Sequence, residues 1–346
     1  SSCCRMTSLD SPCLRTVDGT TLDRDRFLRD IAEPCEPVVL RGVCRQWPAY
    51  AAQAQSQAAL VAYLARFAVD RAAEMFVGDP GTGGRYDYAD GLAGFTFSRE
   101  SVRFGEALGR IADAAQSPSQ PSIYVGSLPT DDYLPGFSAE NTLSILSPDV
   151  GPRIWLGTAS SVACHYDTFD NLACVVAGRR RFTLYPPDAI ADLYVGPIDH
   201  TLAGQPVSLA ASAPPEDARY PAFANARGRA IPVDLEPGDA LYLPKLWWHS
   251  VEATAPFNVL VNYWWDGFAS GPDAPHTAML LAMIAIAERP APERAAWRAF
   301  FEHYVFRPDG HPLRHLSEQQ HGILGPLRGG NYGRIRALVM RLLRGG

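Results

Sequence analysis

Residues 162–185, VACHYDTFDNLACVVAGRRRFTLY, carry the reading of the fold. They divide into three β-rich runs, 162–167, 172–176 and 181–185, separated by an Asp-Asn break and by Ala177-Gly178. Side chains alternate faces along a strand, so a regular strand at 162–167 points His165 and Asp167 the same way and Cys164 and Tyr166 the other. Two such groups can hold one metal ion. The best third ligand downstream is His249, in Leu243-Pro244-Lys245-Leu246-Trp247-Trp248-His249, which follows the turn Pro237-Gly238-Asp239. Two histidines and one carboxylate leave part of a metal's coordination sphere open, whereas a closed structural zinc site asks for four protein ligands, usually with Cys among them. His165 paired with Asp167 as an ordinary core histidine is the plainer alternative.

Outward from this stretch, 123–125 and 153–156 on one side and 240–243, running on toward Val251, and 258–265 on the other also read as strands. Helical spacing appears in the flanks. Phe27, Leu28 and Ile31 follow Thr21 as an expected N-cap, and 58–67 and 102–115 are also helical in character. Toward the end of the chain, 276–288, 292–305 and 332–343 are expected helices. In the last, Ile335, Leu338, Val339 and Leu342 form an apolar stripe. Residues 78–91 read as loop. Many short strands between helical flanks imply a mainly β fold with flanking α, a barrel or sandwich. The expected divisions are an N-terminal flank at 1–120, a β core at 121–268 with a long insert at 189–229, and C-terminal helices at 269–346. That insert exceeds an ordinary connection and is expected to cover a substrate, with Tyr194, Asp199, His200, Arg219 and Tyr220 as possible contacts.

The order and spacing of these segments resemble the cupin-like JmjC oxygenases, a family that includes the asparaginyl hydroxylase acting on hypoxia-inducible factor. The resemblance runs from Pro37-Val38-Val39-Leu40-Arg41-Gly42 and Trp47-Pro48-Ala49 through Ile154-Trp155-Leu156-Gly157, His165-Tyr166-Asp167, Asn171-Leu172, Gly178-Arg179-Arg180-Arg181-Phe182 and Leu184-Tyr185-Pro186-Pro187. It closes with Pro237-Gly238-Asp239, Trp247-Trp248-His249 and Val261-Asn262-Tyr263-Trp264. It implies a double-stranded β-helix, or jelly roll, and iron(II) held by His165, Asp167 and His249. It also implies 2-oxoglutarate as co-substrate, its far carboxylate bound by Arg180 and shared with Tyr124, with Asn171 and Asn262 beside it. The implied activity is hydroxylation of an unidentified protein, RNA or small molecule with O₂, 2-oxoglutarate being converted to succinate and CO₂. The alternative is a cupin that binds without turnover or uses another metal. Strand alternation agrees for Arg180, placing it with Phe182 and opposite Arg179 and Arg181. Surface charge for the arginines and plain core packing for Tyr124 and Asn262 are the other readings. One departure stands out: Val162 occupies the position, three before His165, where many relatives carry Thr or Ser.

Composition bounds the rest. The 346 residues are 47% hydrophobic and 20% charged, enough for a large core. A net charge of −6 gives no indication of nucleic-acid binding by the surface as a whole. The seven cysteines make no zinc pattern, no apolar run would span a bilayer and the first residues lack a secretory pattern, so a cytoplasmic protein with free thiols is expected. Leu280, Leu281, Met283, Ile284 and Ile286, with Trp297, Phe300, Phe301 and Tyr304, are too apolar for solvated helices, and a homodimer through the C-terminal helices is expected, as in relatives.

Overall fold

The computed structural model describes residues 13–117, 120–269 and 271–345. Cys3 and Cys4 lie outside them. Contacts divide the chain into two units, one ending at Trp265 and the other beginning at Asp266.

In the first unit the strands are β1 (Arg15–Asp18), β2 (Val38–Arg41), β3 (Ala72–Gly78), β4 (Arg85–Tyr86), β5 (Phe97–Arg103), β6 (Ile123–Pro129), β7 (Pro152–Gly157), β8 (Ser160–His165), β9 (Asp170–Ala177), β10 (Arg180–Tyr185), β11 (Ile231–Leu235), β12 (Ala240–Leu243), β13 (Trp248–Ala253) and β14 (Asn258–Trp265). They form a nine-stranded sheet in the order β1-β2-β12-β9-β14-β7-β6-β3-β5 and a five-stranded sheet in the order β11-β10-β13-β8-β4. This is the jelly-roll arrangement. Val39, Ala173, Val175, Leu241 and Leu260 of the large sheet pack against Phe182, Leu184, Val233 and Leu235 of the small one. The other face of the large sheet is covered by the N-terminal segments, through Phe27, Ile31, Trp47, Leu60, Leu64, Phe104 and Leu108. The helix Phe104–Ala114 shows why: its buried residues Phe104, Ala107, Leu108 and Ile111 recur at i, i+3, i+4 and i+7.

Several local expectations change. Asp23, not Thr21, caps the first helix, its carboxylate accepting the Arg26 N–H at 2.7 Å; Thr21 ends a preceding 3₁₀ turn. Val102 belongs to β5, and the helix begins only at Phe104. β5 is an edge strand with charged Arg99, Glu100 and Arg103 largely exposed, so it carries no apolar alternation. The expected loop at 78–91 contains the short strand β4. β12 does not run on to Val251; a turn at 244–247 separates it from β13.

The second unit holds the helices Pro275–Ile286, Ala291–Phe301 and Tyr332–Leu343, and none of the three contains a buried residue. The stripe in the last is formed but open, with Leu342 66% exposed. Among the described residues no helix is long and apolar enough to cross a membrane.

Candidate metal centre and co-substrate cavity

The register of the small sheet builds the site in rows. Leu184, His249 and His165 lie side by side across β10, β13 and β8. Phe182, Val251 and Val162 form the next row, and Arg180, Ala253 and Ser160 the third. Paired residues share a face. The rows are two residues apart on β10, so Arg180 sits about 13 Å along the strand from the histidine row, at roughly 3.3 Å per residue. Between His249 and Val251, β8 carries one more residue than β13. Cys164 faces outward into a second cluster, and the β-bulge returns Val162 and Ser160 to the inner face.

His165 and His249 approach with ring centroids 4.4 Å apart. His249 Nε2 lies 3.7 Å from Asp167 Oδ2. One ligand atom from each of the three residues falls within 4.8 Å of the others. The Nδ1 of each histidine meets a backbone carbonyl two residues earlier, His165 that of Ala163 at 2.8 Å and His249 that of Trp247 at 2.9 Å. These bonds place the proton on Nδ1 and leave the Nε2 lone pairs for a metal. Burial first, and the neighbouring His165 second, pull His249 down to about 4 against the opposing pull of Asp167. It is therefore neutral, the form that ligates. Asp167 does not reach the site by strand alternation. β8 ends at His165, and the backbone carbonyl of Asp167 instead accepts the Leu246 N–H at 2.9 Å. A donor set of two imidazoles and one carboxylate, without thiolate, suits iron(II) and leaves positions open for other ligands.

The three residues open onto a cavity of ≈ 180 Å³ that Arg180, Tyr124, Asn171, Asn262, Val162 and Ser160 also line. The hairpin aiming Arg180 depends on Gly178, at φ +80°, where a Cβ would come within 2.2 Å of Asn258 Oδ1; that oxygen accepts the Arg179 N–H at 3.2 Å. Arg179 and Arg181 point outward and pair with Glu236 and Asp234. Arg180 is different. Its Nε is buried with no hydrogen-bond partner, and burial alone lowers its pKa to about 10. It remains charged at neutral pH. An unpaired buried donor costs roughly 1–3 kcal/mol, so a cavity that keeps one is shaped for an acceptor. Tyr124 stacks on Phe76 at 4.7 Å and meets Tyr86 edge-on, and burial raises its pKa, so its hydroxyl stays protonated. Asn262 donates to Asn171 Oδ1 at 3.1 Å and accepts the Trp155 indole N–H at 2.7 Å.

Four contributors escaped the sequence reading. Ser160 faces inward only because of the bulge, which leaves no local sequence signal. Trp155 lines the cavity and holds Asn262. Trp264 lines it too, with a buried indole N–H that has no partner. The fourth is a piece of the insert: Leu202, Ala203, Gln205 and Val207 close one side, with Val207 bridged to His165. The five insert residues expected as contacts do not line the cavity. His200 rests on Phe95 and Tyr88, Tyr194 packs at a tilt against Tyr220, and Arg219 pairs with Asp217. Much of the insert packs on the outside of the small sheet, Leu193, Ala210, Phe223 and Ala226 covering Tyr185 and Trp248.

The sequence model of the cupin-like domain family matches residues 24–271. The tRNA wybutosine-synthesizing protein 5 of Danio rerio is 28% identical over 275 residues, covering 71% of this chain and 73% of that protein. The HSPB1-associated protein 1 homolog of Danio rerio is 36% identical over 115 residues, 32% of this chain and 24% of that protein. The lysine-specific demethylase JMJ31 of Arabidopsis thaliana is 32% identical over 115 residues, 33% of this chain and 20% of that protein. The matches to the two shorter-aligning relatives thus span no more than about a quarter of their length.

Proposed function

We propose, for a chain that belongs to the cupin-like (JmjC) domain family, that it is an iron(II)- and 2-oxoglutarate-dependent oxygenase hydroxylating a protein, RNA or small molecule. The observation that carries this reading is a two-His, one-Asp set and Arg180, with its buried Nε unpaired, opening onto one cavity. Iron(II) held by His165, Asp167 and His249 would bind the 2-oxo acid end and O₂ and supply the oxidising power for the C–H bond. The chain supplies the rest. Arg180 offers a cation to the far carboxylate, and Ser160, in the same row, offers the hydroxyl that Val162 lacks. Tyr124, on β6 of the large sheet, is a further donor lining the same cavity. Asn171 and Asn262, locked to each other and to Trp155, set a fixed polar edge. Leu202, Ala203 and Val207 keep water from one side. On adding iron(II) and 2-oxoglutarate in air, the purified protein should form succinate slowly even without a primary substrate. Metal binding with no succinate under any iron loading would favour the non-catalytic or other-metal cupin.

The same reading includes a homodimer through the second unit. Met279, Leu280, Leu281, Met283 and Ile284 are all exposed, Ile284 by 82%, as are Phe300 and Val305. A helix apolar on every side calls for cover, and burial stabilises by about 25 cal/mol per Å². Light scattering at micromolar concentration should give the mass of two chains, and the double variant Ile284→Glu, Phe300→Glu the mass of one. A monomeric parent protein would exclude the dimer.

A further inference from the structure

We propose that Lys245, the only lysine of the chain, is a positioning residue for Asp167 and His249, acting through the turn it anchors. The proposal rests on the metal-centre reading above. The turn at 244–247 joins β12 to β13 and touches both ligands. Its Leu246 N–H holds the Asp167 carbonyl at 2.9 Å, and its Trp247 carbonyl meets His249 Nδ1 at 2.9 Å. The spacing between Asp167 and His249 therefore depends on where this turn sits.

Its seat is Asp170, whose side chain is only 2% exposed. Lys245 engages that carboxylate twice, by Nζ to Oδ2 at 3.2 Å and by its backbone N–H to Oδ1 at 3.3 Å. Asp167 and Asp170 thus bound one short loop, each end of which is fastened to the same turn. The turn also holds a conformation it would not choose alone. Leu246 is a non-glycine residue at φ +69°, and its side chain is 47% exposed, so packing of that side chain does not enforce the geometry. Left-handed backbone is unfavourable for such a residue. The flanking bonds of Lys245, Leu246 and Trp247 are what hold it.

A purely structural ion pair would stabilise the fold and leave the ligands alone; the experiment separates the two. Cobalt(II) serves as the probe, with affinity and ligand-field spectrum measured beside the melting temperature. Lys245→Met should weaken cobalt binding by roughly 10- to 100-fold, the usual scale for residues that orient metal ligands, and alter the spectrum. Lys245→Arg should retain most of the affinity, since it keeps a cation on Asp170. The double variant Lys245→Met, Asp170→Asn removes both charges of this pair together and so guards against simple unfolding. It should fold and still show the weakened affinity and altered spectrum. Parental affinity and spectrum in a folded double variant would overturn the proposal, whatever the melting temperature does. A parent protein that binds no cobalt at this site would instead bring down the metal-centre reading, and this proposal with it.

Discussion

Arg180→Met is expected to weaken 2-oxoglutarate binding by on the order of a hundredfold while leaving metal affinity nearly unchanged. Every 2-oxo acid offers the same 1-carboxylate and 2-oxo group to a metal. Discrimination must come from the far end, where a second carboxylate needs a cation in a poorly solvated place. In the proposed function Arg180 is that cation: its Nε is buried without a hydrogen-bond partner, two rows along β10 from the level of the histidines. Arg153 does not compete for the role. Its guanidinium is engaged by Ser127, at 2.8 Å to Oγ and 2.6 Å to the carbonyl, and lies over Trp264. Arg180→Lys should keep part of the affinity, because charge survives but the fork is lost. Anaerobic titration of 2-oxoglutarate into metal-loaded variants measures this. Unchanged affinity in Arg180→Met would mean that the co-substrate is not a dicarboxylate or is bound elsewhere.

His249→Ala is expected to abolish specific iron(II) binding. His249 is 3% exposed, held neutral by its surroundings and oriented by the Trp247 carbonyl, so its lone pair is committed to the centre of the site. Removing it leaves His165 and Asp167, two ligands on one side of an ion. The check is equilibrium dialysis of iron(II) under anaerobic conditions. Retained stoichiometric binding in the variant would show that the metal sits elsewhere.

Much of this site is legible from side-chain chemistry and spacing. His165 and Asp167 declare themselves as a pair, and Gly178 followed by three arginines marks a hairpin in which Arg180 and Phe182 share a face. What escapes has a physical reason in each case. Ser160 faces inward through a bulge whose extra residue is invisible in an alternation pattern. Asp167 reaches the same place as strand alternation would give, but from a loop held by Leu246, because the long-range hydrogen bond rather than the local backbone decides it. β5 shows no apolar period because an edge strand need bury little. Of the four insert residues that line the cavity, Leu202, Ala203 and Val207 are small or apolar and Gln205 is polar but uncharged, whereas His200 and other aromatic side chains nearby are used for packing within the insert and against Tyr88 and Phe95. Asp170 and Lys245 stand 75 positions apart, and only the fold brings them together.

The proposed function puts iron(II) on His165, Asp167 and His249 and 2-oxoglutarate on Arg180 in one cavity. Its most direct test is visible absorption of the anaerobic protein as 2-oxoglutarate is titrated into the iron(II)-loaded form. A weak charge-transfer band should appear, saturate at one equivalent per chain and be absent from His249→Ala. In Arg180→Met it should require far more 2-oxoglutarate. Iron(II) binding with no such band at saturating 2-oxoglutarate, or a band that His249→Ala leaves intact, would contradict it.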